Sequence, residues 1–178
     1  MTRAGNLDRG IRDSLTSFAQ VALDPDWRGR EREAISQYAF GHLLSCFDER
    51  MPFIHPGQIA IEACVPGLEG ENPKGRVNKD LVVWASHRSA ATWDESWKVA
   101  RSPRCIIEWT FARNGSRWLR AWEYDINWLC AHTSKWRGCT GYAVALLRVP
   151  SEPRLLAARV ANGHVNLGWL AIRRADVA

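Results

Sequence analysis

Two short apolar runs, each carrying an acid, constrain this chain more than any other feature. They are Lys79-Asp80-Leu81-Val82-Val83-Trp84 and Cys105-Ile106-Ile107-Glu108-Trp109-Thr110-Phe111. Both are rich in β-branched and aromatic residues and both are bounded by turn-formers, which predicts two strands. Side chains alternate along a strand, so Ile106, Glu108 and Thr110 share one face while Ile107, Trp109 and Phe111 share the other. A carboxylate in a buried strand is costly unless something pairs with it. The fold must therefore bring Asp80 and Glu108 a partner, either a structural ion pair or a divalent cation.

The remaining elements follow from periodicity. Leu7, Ile11, Leu15, Phe18 and Ala22 recur at helical spacing, and Asp24-Pro25-Asp26 ends that helix. A second helix is expected from Gly29 to Asp48, with Ile35, Tyr38, Ala39, His42, Leu43 and Cys46 as its apolar stripe and Glu31 and Glu33 in its first turns. Gln58 to Val65 alternates as a strand, with Ile59, Ile61, Ala63 and Val65 on one face and Glu62 on the other. After the two acid-bearing strands, Trp118, Trp122, Ile126 and Leu129 form a helical stripe beginning at Ser116 or near Asp125. Gly141 to Val149 is a near-continuous apolar run, as in a central strand buried on both faces. Leu155–Val160 and His164–Ile172 flank Asn162-Gly163, a hairpin signal. Short links between the first three strands predict a meander, and the helical crossover predicts a parallel neighbour. The expected architecture is α/β: one mixed sheet flanked by helices, in a single domain of 178 residues.

Composition narrows the class. No run approaches the roughly eighteen apolar residues of a membrane helix. No apolar segment of signal-peptide type follows Met1 to Asn6, so the expected address is the cytoplasm. Five cysteines (Cys46, Cys64, Cys105, Cys130, Cys139) form no CxxC pair, which argues against a disulfide framework or a zinc knuckle. The five histidines show no HxxxH or HExxH spacing, and there is no GxSxG elbow or P-loop. The net charge of +5 favours a polyanionic partner only weakly. Ten tryptophans, seven of them between Trp93 and Trp136, are read first as core and second as platforms for bases or sugars beside a site.

The order helix, three strands, helix, strand, with these acids on it, resembles the PD-(D/E)XK nuclease superfamily of restriction endonuclease-like folds over residues 29–149. The acid at the start of that family's second strand looks like Asp80, and its (D/E)XK element looks like Glu108-Trp109-Thr110. Its helical glutamate is similar to Glu33, with Glu31 as a nearby substitute. The resemblance implies a restriction endonuclease-like α-β-β-β-α-β core, with an extra N-terminal helix (1–24) and a C-terminal hairpin (151–178). It also implies Mg2+- or Mn2+-dependent hydrolysis of DNA and a homodimer as a common assembly.

The chemistry can be stated without the family. Phosphodiester hydrolysis needs a cation that neutralises the scissile phosphate and acidifies a water. Mg2+ prefers oxygen ligands, which Asp80, Glu108 and the carbonyl of Trp109 could supply. The chain departs from the pattern at Thr110, which stands where the family has lysine and carries no positive charge. Either a cation comes from elsewhere, with Lys79, Lys98, Arg113 and Lys135 as candidates, or the domain is a catalytically silent module that binds DNA or a protein partner. Lys79, Arg104 and Arg113 are the expected contacts to nucleic acid, with Arg28, Arg30, Arg32 and Arg101 as further basic residues near the site.

Overall fold

The computed structural model describes residues 3–45, 55–71, 75–85, 103–112, 117–149 and 152–177. The elements in order are helix α1 (Arg3–Ala22), helix α2 (Glu31–Gln37) running into a π-helical segment (Tyr38–Leu43), and strands β1 (Ile59–Pro66), β2 (Arg76–Val83) and β3 (Cys105–Ala112). Helix α3 (Arg117–Lys135) then leads to strands β4 (Thr140–Leu147), β5 (Arg154–Ala161) and β6 (His164–Arg173). The six strands form one sheet in chain order, β1 to β6. Every neighbouring pair is antiparallel except β3 and β4, which the α3 crossover makes parallel. The fold is therefore α/β with a mixed sheet and helices on both faces.

Each face has its own core. Leu7, Ile11, Leu15 and Phe18 of α1 and Ala34, Ile35 and Tyr38 of the second helix pack on Leu81, Val83, Ile107, Trp109, Tyr142 and Val144. On the other face, Trp122, Ile126 and Leu129 of α3 pack on Val82, Ile106, Ala143, Ala145 and Val160. Burying such side chains stabilises the fold by about 1.5–3 kcal/mol each. The α3 packing is close because Gly141 lies under the helix, where an added Cβ would come within 2.8 Å of Leu129 Cδ2. Trp122 Nε1 donates to the Ala143 carbonyl at 2.9 Å, which fixes the helix against β4.

Three features differ from the sequence reading. The second helix begins at Glu31 rather than Gly29, and its α-helical part stops at Gln37. The π-helical winding beyond it carries Tyr38 and Leu43 into the core, while Cys46 to Asp48 lie outside the described residues. The terminal hairpin is not an appendage, because β5 pairs with β4 along eight residues and β6 extends the same sheet. Finally, β1 does not keep one face. Ile59 and Ile61 pack with the α1 core, whereas Ala63 and Val65 pack with the α3 core. The switch falls at Glu62, a non-glycine residue with φ of +52°, which breaks the alternation without shifting the β1–β2 register.

Candidate active site

The site is made by a parting of strands. The β2–β3 ladder holds only Leu81 with Ile107, Val82 with Ile106 and Val83 with Cys105. Beyond it, β2 continues to pair with β1, and β3 continues to pair with β4. At the fork, side chains replace the backbone ladder. Glu108 Oε2 accepts from the Asp80 N–H at 3.1 Å, and Asp80 Oδ2 accepts from the Trp109 N–H at 2.8 Å. Two amides that would otherwise lose their partners are satisfied by the two acids themselves.

The face switch at Glu62 has its counterpart across the strand, because Glu62 is opposite Asp80. In a regular strand Lys79 would project to the face opposite Val82. Instead its ammonium enters on the α3 side, 2.5 Å from Glu108 Oε1 and 3.6 Å from the ring centre of Trp128. Lys79 and Glu108 are both buried. Trp128 is held in turn, since its Nε1 donates to Glu71 Oε2 at 2.9 Å, and His132 stacks on it with centroids 4.7 Å apart. The lysine is thus fixed by a carboxylate at one point and an aromatic face at another.

A cavity of about 530 Å³ opens at the fork. One end is acidic, lined by Glu31 from the start of α2, Asp80, Glu108 and Asp125 of α3. The other end is lined by Phe111, Ala112, Arg117, Trp118 and Ala121. Thr110 Oγ1 donates to Asp125 Oδ2 at 3.1 Å, so the residue two after Glu108 orients a fourth carboxylate. Helix α2 is placed by the preceding link, where Asp24 Oδ1 accepts from the Asp26 N–H and the Arg148 guanidinium binds the carbonyls of Asp24, Pro25 and Trp27.

Burial raises the proton affinity of all four carboxylates, and nearby negative charge adds to it. Burial pushes Glu108 up to about 7; Lys79 opposes the rise and Asp80 adds to it. Burial likewise raises Asp125 to about 6, against the Thr110 hydrogen bond and with help from Asp80. Asp80 is raised by burial, with the Trp109 N–H and Lys79 pulling the other way. Glu31 is raised by burial and by Asp80. Carboxylates with raised pKa values clustered in a cleft mark a candidate active site.

The expected residues divide. Asp80, Glu108, Thr110 and the backbone of Trp109 meet at the cavity, with the Trp109 ring turned to the opposite core against Phe18 and Tyr38. Glu33 does not line the cavity: its carboxylate accepts from the Arg30 N–H at 2.9 Å and caps α2, so Glu31 is the α2 acid that lines the cavity. Lys79 is an internal ion-pair partner rather than a surface contact. Arg104 precedes β3 at the end away from the cavity, and Lys135 is exposed in the last turn of α3. Arg113, Lys98 and Arg101 lie outside the described residues. Asp125 was not singled out as an acid of the site. Its signal was its position three residues after Trp122, on the stripe that faces the sheet.

No protein-family model matches the chain, and no curated protein or solved structure matches it either. Among the described residues no helix is long and apolar enough to cross a membrane. Among the same residues, no three His, Cys, Asp or Glu side chains stand together as a ready metal cluster.

Proposed function

We propose that this domain hydrolyses phosphodiester bonds of DNA with the help of Mg2+ or Mn2+, in the manner of PD-(D/E)XK nucleases. The observation that carries the reading is the fork between β2 and β3, where Asp80 and Glu108 line a cavity and Lys79 pairs with Glu108 from behind its wall. The donor set fits such an ion in kind. It is all oxygen, it is rich in negative charge, and Mg2+ needs only one or two protein carboxylates because it keeps several waters and takes substrate phosphate oxygens as well. Asp80 and Glu108 would hold the ion, with Asp125 across the cavity. When bound, the ion supplies Lewis acidity at the phosphate and lowers the pKa of a coordinated water.

The chain's own groups supply the rest. Lys79 takes the part of the missing motif lysine, entering from the residue before Asp80 instead of two residues after Glu108. Its ammonium favours the ionised form of Glu108 and brings positive charge to the reacting centre. Thr110 orients Asp125, and Glu31 adds negative charge beside Asp80. A second reading, a nuclease-like module that binds DNA without cutting, is favoured by one observation: both oxygens of Glu108 already have partners in Lys79 and the Asp80 N–H.

The test is incubation with linear, supercoiled and branched DNA in Mg2+ or Mn2+, beside Asp80→Ala, Glu108→Gln and Lys79→Met. Cutting that needs the ion and falls at least about a hundredfold in each variant supports the hydrolase. Binding that is indifferent to the ion, with no cutting, leaves the silent module.

A further inference from the structure

The cavity is larger than the reacting groups require, and its second half has no part in the proposed hydrolysis. Ala112 at the end of β3 and Trp118 and Ala121 on one face of α3 make an apolar wall, with the backbone of Phe111 at its edge (its ring is turned to the opposite core, against Trp27) and Arg117 exposed beside it. Trp118 is half-buried and is propped by Trp122, with ring centres 6.1 Å apart. The volume of about 530 Å³ lies within the range of small-ligand pockets. It admits a single nucleotide, whereas a duplex with a major groove about 12 Å wide does not enter it. The acids stand on the floor: Glu108 is 4% exposed and Asp80 is only partly exposed. A phosphodiester that reaches them must leave the duplex outline and bring its nucleotide into the cavity.

We infer that the Trp118 wall is a subsite for one unpaired base, and that the substrate is DNA that is single-stranded at the scissile step. This rests on the nuclease reading for the reaction, though not for the binding. An indole face accepts any base by stacking, which gives affinity without sequence preference. Arg117 stands where it can meet the phosphate of the same nucleotide, and the start of α3 adds the positive end of a helix dipole. The acidic end repels phosphate until a cation or protons neutralise it, so base stacking supplies the hold on the strand that charge alone does not.

The experiment measures binding separately from cutting. Asp80→Ala protein in EDTA is titrated into a labelled single-stranded oligonucleotide and into the blunt duplex of the same sequence, with fluorescence anisotropy as the readout. The single strand is expected to bind at least tenfold more tightly than the duplex. Adding Trp118→Ala should weaken single-strand binding roughly tenfold and leave duplex binding unchanged, while Trp118→Phe retains most of it. A wholly abasic oligonucleotide of the same length should lose a similar factor, and the abasic and Trp118→Ala losses should not add. Equal binding of the two DNAs, or a Trp118→Ala loss shared by both, overturns the subsite. Wild-type protein in Mg2+ tells the two ideas apart. Single-strand preference without cutting keeps the subsite and removes the hydrolase, whereas cutting of blunt duplex with no single-strand preference does the reverse.

Discussion

Replacing Lys79 with methionine should change stability in opposite ways at two pH values. The wild-type pair is buried, with the Lys79 ammonium 2.5 Å from Glu108 and burial holding Glu108 near 7. A carboxylate whose folded pKa is raised contributes stability that is complete below its unfolded value and lost as pH rises through the folded one. For Glu108 the window runs from 4.5 to about 7 and is worth about 3 kcal/mol at most. Without Lys79 the strongest opposing influence is gone, so the pKa climbs further and the loss extends to higher pH. At pH 8 the variant must bury a lone charge or bind a proton against the solution, and we expect it to be about 3–5 kcal/mol less stable than wild type. At pH 5 Glu108 is protonated in both proteins, and wild type then carries an ammonium without its anion. The thioether still packs on Trp128, so the difference should shrink below about 1 kcal/mol or change sign. Urea unfolding followed by tryptophan fluorescence and far-ultraviolet circular dichroism at pH 5 and pH 8 measures both. An equal destabilisation at the two pH values would refute the claim that Lys79 acts through Glu108.

Three further outcomes follow from the same geometry. Gly163→Ala places a Cβ at φ of +79° and 2.1 Å from Ser134 Oγ, so it should cost about 1–3 kcal/mol in a thermal melt, whereas an exposed site such as Gly168, with open space, tolerates alanine better. Tyr142→Phe removes the 2.5 Å hydrogen bond to Asp8, which also pairs with Arg159 at 2.7 Å, and should lower stability by about 1–2 kcal/mol by loosening α1 from the sheet. Calorimetric titration should find Mg2+ affinity about tenfold weaker at pH 6 than at pH 8, because Glu108 must shed a proton held near 7; Glu108→Gln should flatten that dependence.

Much of the fold was legible because its signals are local. Apolar runs bounded by turn-formers located the six strands among the described residues to within a few residues, Asn162-Gly163 marked the last hairpin, and the succession of strands before the α3 crossover implied the meander that brings Asp80 beside Glu108. What escaped the sequence depended on single backbone angles and on where helices start. Glu62 adopts positive φ although it is not glycine, and no composition rule marks such a residue. Strict alternation therefore put Ala63 and Val65 on the same face as Ile59 and Ile61, and Lys79, the buried partner of Glu108, was one cation candidate among four. The choice between Glu31 and Glu33 turned on a two-residue offset in the helix start, which the Arg30 backbone bond to Glu33 decides. Asp125 was hidden by its distance in sequence from Thr110, its partner.

Asp80 and Glu108 complete with their side chains a ladder that the two backbones abandon. Any guest that takes those oxygens therefore withdraws acceptors from the amides of Asp80 and Trp109. Occupancy of the cavity and integrity of the sheet draw on one shared pool of lone pairs, and each is a gauge of the other. The exchange rates of these two amides report on the site from inside the fold, with no need for a substrate.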